Sequence, residues 1–303
     1  SSRTLPTTIT ELYTCFMQTV LLRYITSQPD YKGEQMDLDK FTDLPPPVYN
    51  LFHKLARLAY DGVTDRQLIF KHQQHTIQHL GFMDAVTELF PNKLTIAYSY
   101  NFLHLSIQEY LAAYYVSTME IPQQEQLLRR MCAETHLQNT GRFLAGITKF
   151  KDMDKAIVKK TIEEECMTTV KIKRRGEEEK VTELSTHALQ LLYESSDASI
   201  LDSNDCYGCP LTDYNPIFDF STVGYCITHS NCKWRLQLGA LAQCMKSTER
   251  IQMLVQALNR HSSSSNTYCI KSVICFYDPP ELVEQLLTMP EIVLKQIGRA
   301  SCR

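Results

Sequence analysis

Three groups of side chains in this sequence could do chemistry. Cys206-Tyr-Gly-Cys209, with Cys226 and Cys232 downstream, offers thiolates that suit zinc. The first pair has C-x-x-C spacing, but five residues separate the second pair, where zinc sites use two to four, and buried cysteines acting as small hydrophobes are the commoner explanation. His72, His75 and His79 recur at i, i+3 and i+7 on a predicted helix and could share a face able to hold a transition metal. No carboxylate or cysteine completes that set nearby, and three surface histidines are the more ordinary outcome. His104 stands by itself, two residues before Ser106, where a strand-like pattern gives way to a helical one. A ring fixed at such a junction can be aimed across a cleft. The residues alone equally suit a histidine packed beside a helix cap and satisfied by backbone carbonyls.

No catalytic set emerges. The sequence has no G-x-x-x-x-G-K-[ST] phosphate loop and no acidic Walker B strand. It has no G-x-S-x-G context for a nucleophilic serine, and its Asp and Glu residues cluster in charged runs expected to be exposed. This chain is therefore not expected to be an enzyme.

The elements that must position His104 can be read on both sides of it. Thr95, Ile96, Tyr98, Tyr100 and Phe102 are β-branched or aromatic and suit a strand. With Phe82–Phe90 and a turn at Pro91-Asn92-Lys93 they predict a hairpin over 82–102. After the junction, Tyr110, Leu111, Tyr114, Tyr115, Thr118 and Met119 recur at helical spacing. Ser106 and Glu109 form an S-x-x-E capping box, with Leu105 and Tyr110 placed as a hydrophobic staple. Upstream, Thr8 and Glu11 make a second box opening a helix over 1–25, whose stripe is Ile9, Leu12, Tyr13, Phe16, Met17, Val20, Leu21 and Tyr24. Pro29, Gly33 and Pro45-Pro46-Pro47 mark a linker over 26–47, and helical spacing resumes over 48–63 and again over 64–80.

Beyond the junction, 121–150 is expected to be helical with a breaker at Gly141. The run 151–181 mixes opposite charges, as in Glu163–Glu165, Lys171–Arg175 and Glu177–Lys180, and predicts a solvated helix face or loop. A helix follows over 182–194. From about Asp205 strands and helices alternate, with strands at Lys233–Leu238 and Ile270–Phe276, a helix over 279–289 and a strand start near Val293. The last residues, Ile297-Gly-Arg-Ala-Ser-Cys-Arg303, fit no preceding pattern, and they back-translate into a run resembling a sequencing adapter.

The block Phe102-Leu-His104-Leu-Ser106-Ile-Gln108-Glu109-Tyr-Leu-Ala112-Ala113 resembles the F-L-H-L-(S/T)-x-Q-E-(F/Y)-x-A-A signature of NACHT-type nucleotide-binding receptors, the NOD-like receptors of animal innate immunity. Leu5–Tyr13, Leu55–Val63 and Arg142–Ile147 resemble further phrases of that family. The resemblance implies the end of a first helical domain and linker at 1–45 and a winged-helix domain at 46–120. It further implies a second helical domain at 121–200 and the onset of a leucine-rich-repeat-like array at 201–296. The implied fold is mainly α with a small β component: a helical bundle plus winged helix, followed by α/β repeat units. In the family the histidine matched by His104 reaches the β-phosphate of ADP and holds a closed, resting state. A ring N–H donating a charge-assisted hydrogen bond to phosphate oxygen is sound chemistry for that role. ADP or ATP would be held mainly by a phosphate-binding core upstream of Ser1. The parent protein would oligomerise through that core and would sense an unknown ligand through the repeats.

Composition agrees with an intracellular protein. The chain has 303 residues, 44% hydrophobic content and a net charge of −3, enough for sizeable cores and with no bulk bias toward nucleic acid. Eleven scattered cysteines and no run approaching about 18 apolar residues predict free thiols in a reducing cytoplasm and no membrane span. The alternative is a winged-helix DNA-binding regulator. Its candidate recognition helix over 64–80 carries only Arg66 and Lys71 among glutamines and histidines, thin charge for phosphate contact.

Overall fold

A computed structural model describes residues 5–29, 40–71, 80–89, 96–174, 177–201, 206–211, 220–230, 233–238, 253, 256–257, 268–275, 292–294 and 297–299. The fold is mainly helical with a smaller β component, as expected. It divides into two compact units, 1–152 and 153–303.

The first unit opens with α1 (Ile9–Thr26), and the capping box expected there is present. Thr8 Oγ1 accepts from the Glu11 amide at 3.2 Å, while Glu11 Oε2 accepts from the Thr8 and Thr7 amides at 3.3 and 2.7 Å. Burial pushes the Glu11 carboxyl up, but these hydrogen bonds together outweigh it and hold the group below its ordinary value. Thr8→Ala should therefore cost about 1 kcal/mol, read as a lower urea midpoint at unchanged slope. Only part of the expected stripe is buried: Met17 and Leu21 face the core, as does Ile25 outside the stripe, whereas Leu12 is 54% and Phe16 40% exposed.

Helix α2 (Pro46–Thr64) begins inside the triple proline, because Pro46 and Pro47 fill first-turn positions that need no amide donor. Its buried Phe52 packs against Phe41 and Tyr114 at ring separations of 4.9 and 5.0 Å. The helix expected over 64–80 does not form at 65–71. Arg66 takes a left-handed φ of 56°, which ends α2, and β1 (Phe70–Lys71) follows. Residues 72–79 lie outside the described residues. The expected hairpin is present as β2 (Met83–Leu89) and β3 (Ile96–Phe102), antiparallel from Met83↔Phe102 to Leu89↔Ile96, with β1 on the other side of β3.

Three helices complete the unit: α3 (Leu105–Ser117), α4 (Ile121–Ala133) and α5 (Gln138–Thr148). The buried Gln124 side chain donates to the Ser117 and Met119 carbonyls and so fixes the turn between α3 and α4. The breaker expected at Gly141 is not there; that glycine lies buried inside α5. The chain instead breaks at Glu134, before a 3-10 turn at Thr135–Leu137.

The second unit contains α6 (Lys155–Cys166), capped by Asp154, whose Oδ1 accepts from the Ala156 amide at 2.8 Å. The charged run then departs from expectation. It forms an antiparallel hairpin, β4 (Met167–Arg174) and β5 (Glu177–Leu184), paired from Met167↔Leu184 to Arg174↔Glu177. Thr168, Thr169, Val170, Ile172, Val181 and Thr182 give both arms β-branched content, and charged residues are tolerated on β4 because it is an edge strand.

Helix α7 (Thr186–Ser195) is capped by Ser185 and ends at Ser196, which has a φ of 56°. Strands β6 (Cys206–Leu211), β7 (Lys233–Leu238) and β8 (Tyr268–Cys275) run parallel, with α8 (Phe220–His229) between the first two. β5 joins β6 in parallel, and β9 (Ile292–Leu294) and β10 (Ile297–Arg299) both pair with β8. Ile297–Arg299, which fit no sequence pattern, thus form a strand, whereas the helix expected over 279–289 lies outside the described residues. Trp234 is fully buried and its Nε1 donates to Ser230 Oγ at 2.9 Å. Among the described residues no helix is long and apolar enough to cross a membrane.

Candidate functional site

The junction before α3 is built differently from the S-x-x-E reading. The helix starts two residues earlier, and its N-cap is His104, whose backbone is extended at φ −152° and ψ 146°. The Ser106 amide donates to His104 Nδ1 at 3.2 Å, and Ser106 Oγ lies 3.0 Å from the same nitrogen. An amide can only donate, so Nδ1 carries a lone pair and the neutral ring bears its proton on Nε2. The serine hydroxyl then also donates to Nδ1. No further partner binds His104 among the described residues, and the residue is exposed, so its Nε2–H is available as a donor. The cap and the donor are two ends of one ring.

His104 and Ile107 line an open groove of about 300 Å³ whose other wall is Leu12, Tyr13 and Phe16 of α1. Leu103 and Leu105, beside the histidine, are also exposed. Among these lining residues His104 carries the side-chain nitrogen, set in an aliphatic and aromatic surface that includes the Tyr13 phenol.

The two walls are held in place from behind. Thr14 donates through Oγ1 to the Thr10 carbonyl at 2.8 Å, so the Tyr110 hydroxyl, also at 2.8 Å, is the donor to Thr14. Tyr110 is buried, and burial pushes its phenol up, so it stays neutral and keeps that proton. Tyr13, Tyr110 and Phe143 form an aromatic cluster with ring separations of 5.1 to 6.0 Å. α1 also approaches α5 closely, since a Cβ built on Gly146 would lie 2.1, 2.5 and 2.7 Å from Thr10 side-chain atoms.

Sequence reasoning assigned Glu109 to a capping role that it does not perform. Glu109 is 5% exposed, inside the helical layer, where Asn139 Nδ2 reaches both carboxylate oxygens at 3.3 and 3.4 Å. The signal available in the sequence was position alone: with the cap at His104, Glu109 falls beyond the first turn of α3 and cannot reach back to the cap amide.

His72, His75 and His79 lie outside the described residues, as do Cys232 and the side chains of Cys206 and Cys209. Cys226 is buried in α8, and its thiol donates to the Leu189 carbonyl at 3.8 Å. Cys132 and Cys166 are likewise buried and form no disulfide, and neither does the exposed Cys15. A scan against protein-family models finds no match for the chain, and a search of curated proteins finds none either.

Proposed function

We propose that this chain belongs to an intracellular NOD-like receptor, a nucleotide-controlled switch in which the 46–120 region acts as the winged helix and His104 holds the β-phosphate of ADP in the closed state. The observation that carries this reading is the division of labour on the imidazole. Nδ1 is committed to the Ser106 amide, which leaves Nε2–H without a partner among the described residues on an exposed histidine that lines a groove. A phosphate oxygen accepting from such a donor is a charge-assisted hydrogen bond. The apolar walls would cover the phosphate contact on one side and keep water from competing with it.

In this reading the phosphate cradle and metal-binding acid are supplied by sequence upstream of Ser1, and hydrolysis, if any, belongs to that core. The parallel strands β6, β7 and β8 support an origin in a repeat array that senses ligand. Nucleotide exchange would shift the closed and open populations by the difference in phosphate contacts between them, and self-assembly would follow through the core. The test is to extend the coding sequence upstream, express the longer protein, denature it and quantify released nucleotide. A G-x-x-x-x-G-K-[ST] motif followed by an acidic strand, together with near-equimolar ADP, is expected. An upstream sequence without a phosphate loop overturns the reading.

A further inference from the structure

Helices are ordinarily capped by Ser, Thr, Asp or Asn, whose side-chain oxygen remains an acceptor at neutral pH. α3 is capped by a ring nitrogen instead: His104 Nδ1 accepts from the Ser106 amide at 3.2 Å. The next two amides, those of Ile107 and Gln108, reach the His104 carbonyl at 3.0 and 3.4 Å, so of these three it is Ser106 that depends on the ring. The lone pair that accepts from Ser106 is also the one that would take a second proton on the imidazole. Amide and proton therefore compete for one atom.

With a proton on both nitrogens, Nδ1–H would meet the Ser106 N–H donor against donor, and only Ser106 Oγ, 3.0 Å away, could still accept from it. The charge would also sit at the amide end of a helix, which carries partial positive charge of its own. No neighbouring carboxylate compensates it. On α1, Glu11 is held by Thr7 and Thr8, Tyr13 lines the groove and Cys15 is exposed. On β2, Asp84 stands opposite Asn101. On α3, Glu109 is bound by Asn139, and the neutral Tyr110 donates to Thr14. After α5, Lys149 acts on Glu11, and Arg142 within α5 makes a contact of its own. Among the described residues none of these groups is paired with His104.

We propose that His104 is a proton-labile cap: neutral, it closes the first turn of α3, and protonated, it releases the Ser106 amide and unties that turn. The sign follows from the bond. The capped state holds the ring neutral while the uncapped chain takes up a proton, so the cap's contribution is present at the alkaline end and lost as pH falls. Histidine side chains change charge between about pH 5 and 8, which sets the range to search. Glu109, pushed up to about 6 by burial, titrates in the same range with the opposite sign: its contribution is present at the acid end and lost as pH rises through about 6. The cap is therefore read against a variant that keeps Glu109. Nε2–H persists in both forms of the ring, so the cap stands apart from the nucleotide reading and is tested without nucleotide.

The experiment is amide hydrogen exchange by NMR on the full chain from about pH 8 down to about pH 5, corrected for intrinsic rates. Relative to His104→Asn, whose capping oxygen does not titrate, opening at Ser106 and Ile107 in the wild type should rise roughly tenfold toward the acid end, the combined effect of a lost cap and an adverse charge. Ser106→Ala keeps the amide and should show the same rise. The wild-type imidazole should carry its proton on Nε2 at the alkaline end. A wild-type profile parallel to that of His104→Asn, a rise that disappears in Ser106→Ala, or a proton found on Nδ1 at the alkaline end overturns the proposal.

Discussion

Gly146→Ala is expected to destabilise the 1–152 unit by about 2 kcal/mol, although the same change at an ordinary interior helical position gains about 1 kcal/mol. The reversal follows from one approach. The new methyl carbon would sit 2.1 Å from Thr10 Oγ1, 2.5 Å from its Cβ and 2.7 Å from its Cγ2. Thr10 is only 2% exposed and has a short side chain, so it cannot swing away, and α1 and α5 must separate. Because α1 supplies the Leu12, Tyr13 and Phe16 wall, the groove at His104 should widen with it. Thermal unfolding should fall by roughly 4–8 °C. Thr10→Ala removes two of the three obstructing atoms, so the double variant should recover part of the loss in a double-mutant cycle. A Gly146→Ala protein as stable as wild type would mean that the two helices do not meet at this spacing.

Legibility in the sequence followed the range of the interaction involved. The α1 cap was readable because Thr8 and Glu11 satisfy one another within three residues. The 82–102 hairpin was readable because alternation and a turn signal are local too. At α3 the same local rule misplaced the cap. An S-x-x-E pair was present, but His104 reached the Ser106 amide first and a long-range partner, Asn139, drew Glu109 into the interior. Gly141 misled for a related reason, since a glycine read as a helix breaker lies buried within α5.

The run 167–184 shows the opposite error. Charge suggested a solvated helix face or loop, yet threonines, valines and an isoleucine on both arms carried the strand signal, and edge placement made the lysines compatible with it. The exposed Leu12 and Phe16 belong to a helical stripe that periodicity alone assigns to a core. Periodicity marks a face, not what covers it. That is why the groove had no signature in the sequence while one of its lining residues, His104, did.

Under the proposed function, His104→Asn in the upstream-extended protein is expected to keep its fold and lose bound ADP. The two ring nitrogens make this separation possible. Nδ1 accepts from the Ser106 amide as an N-cap, and asparagine is among the best N-cap residues, so its side-chain oxygen can take over that role at little cost. The shorter side chain cannot also reach outward to the place of Nε2. Removing a hydrogen bond to a charged group costs about 1.5–3 kcal/mol, which weakens ADP by roughly 10- to 100-fold. Closed-state stability should fall by the same amount, because ADP shifts the switch only through contacts that differ between its two states. The readouts are the melting temperature of the nucleotide-free protein, expected within a degree or two of wild type, and the nucleotide content after purification, expected to collapse. His104→Ala should lose both properties, since it removes the cap and the donor together. Constitutive signalling should accompany the loss of ADP in either variant. If His104→Asn retains ADP at the wild-type level, the outward nitrogen touches no phosphate and the histidine is a helix cap alone.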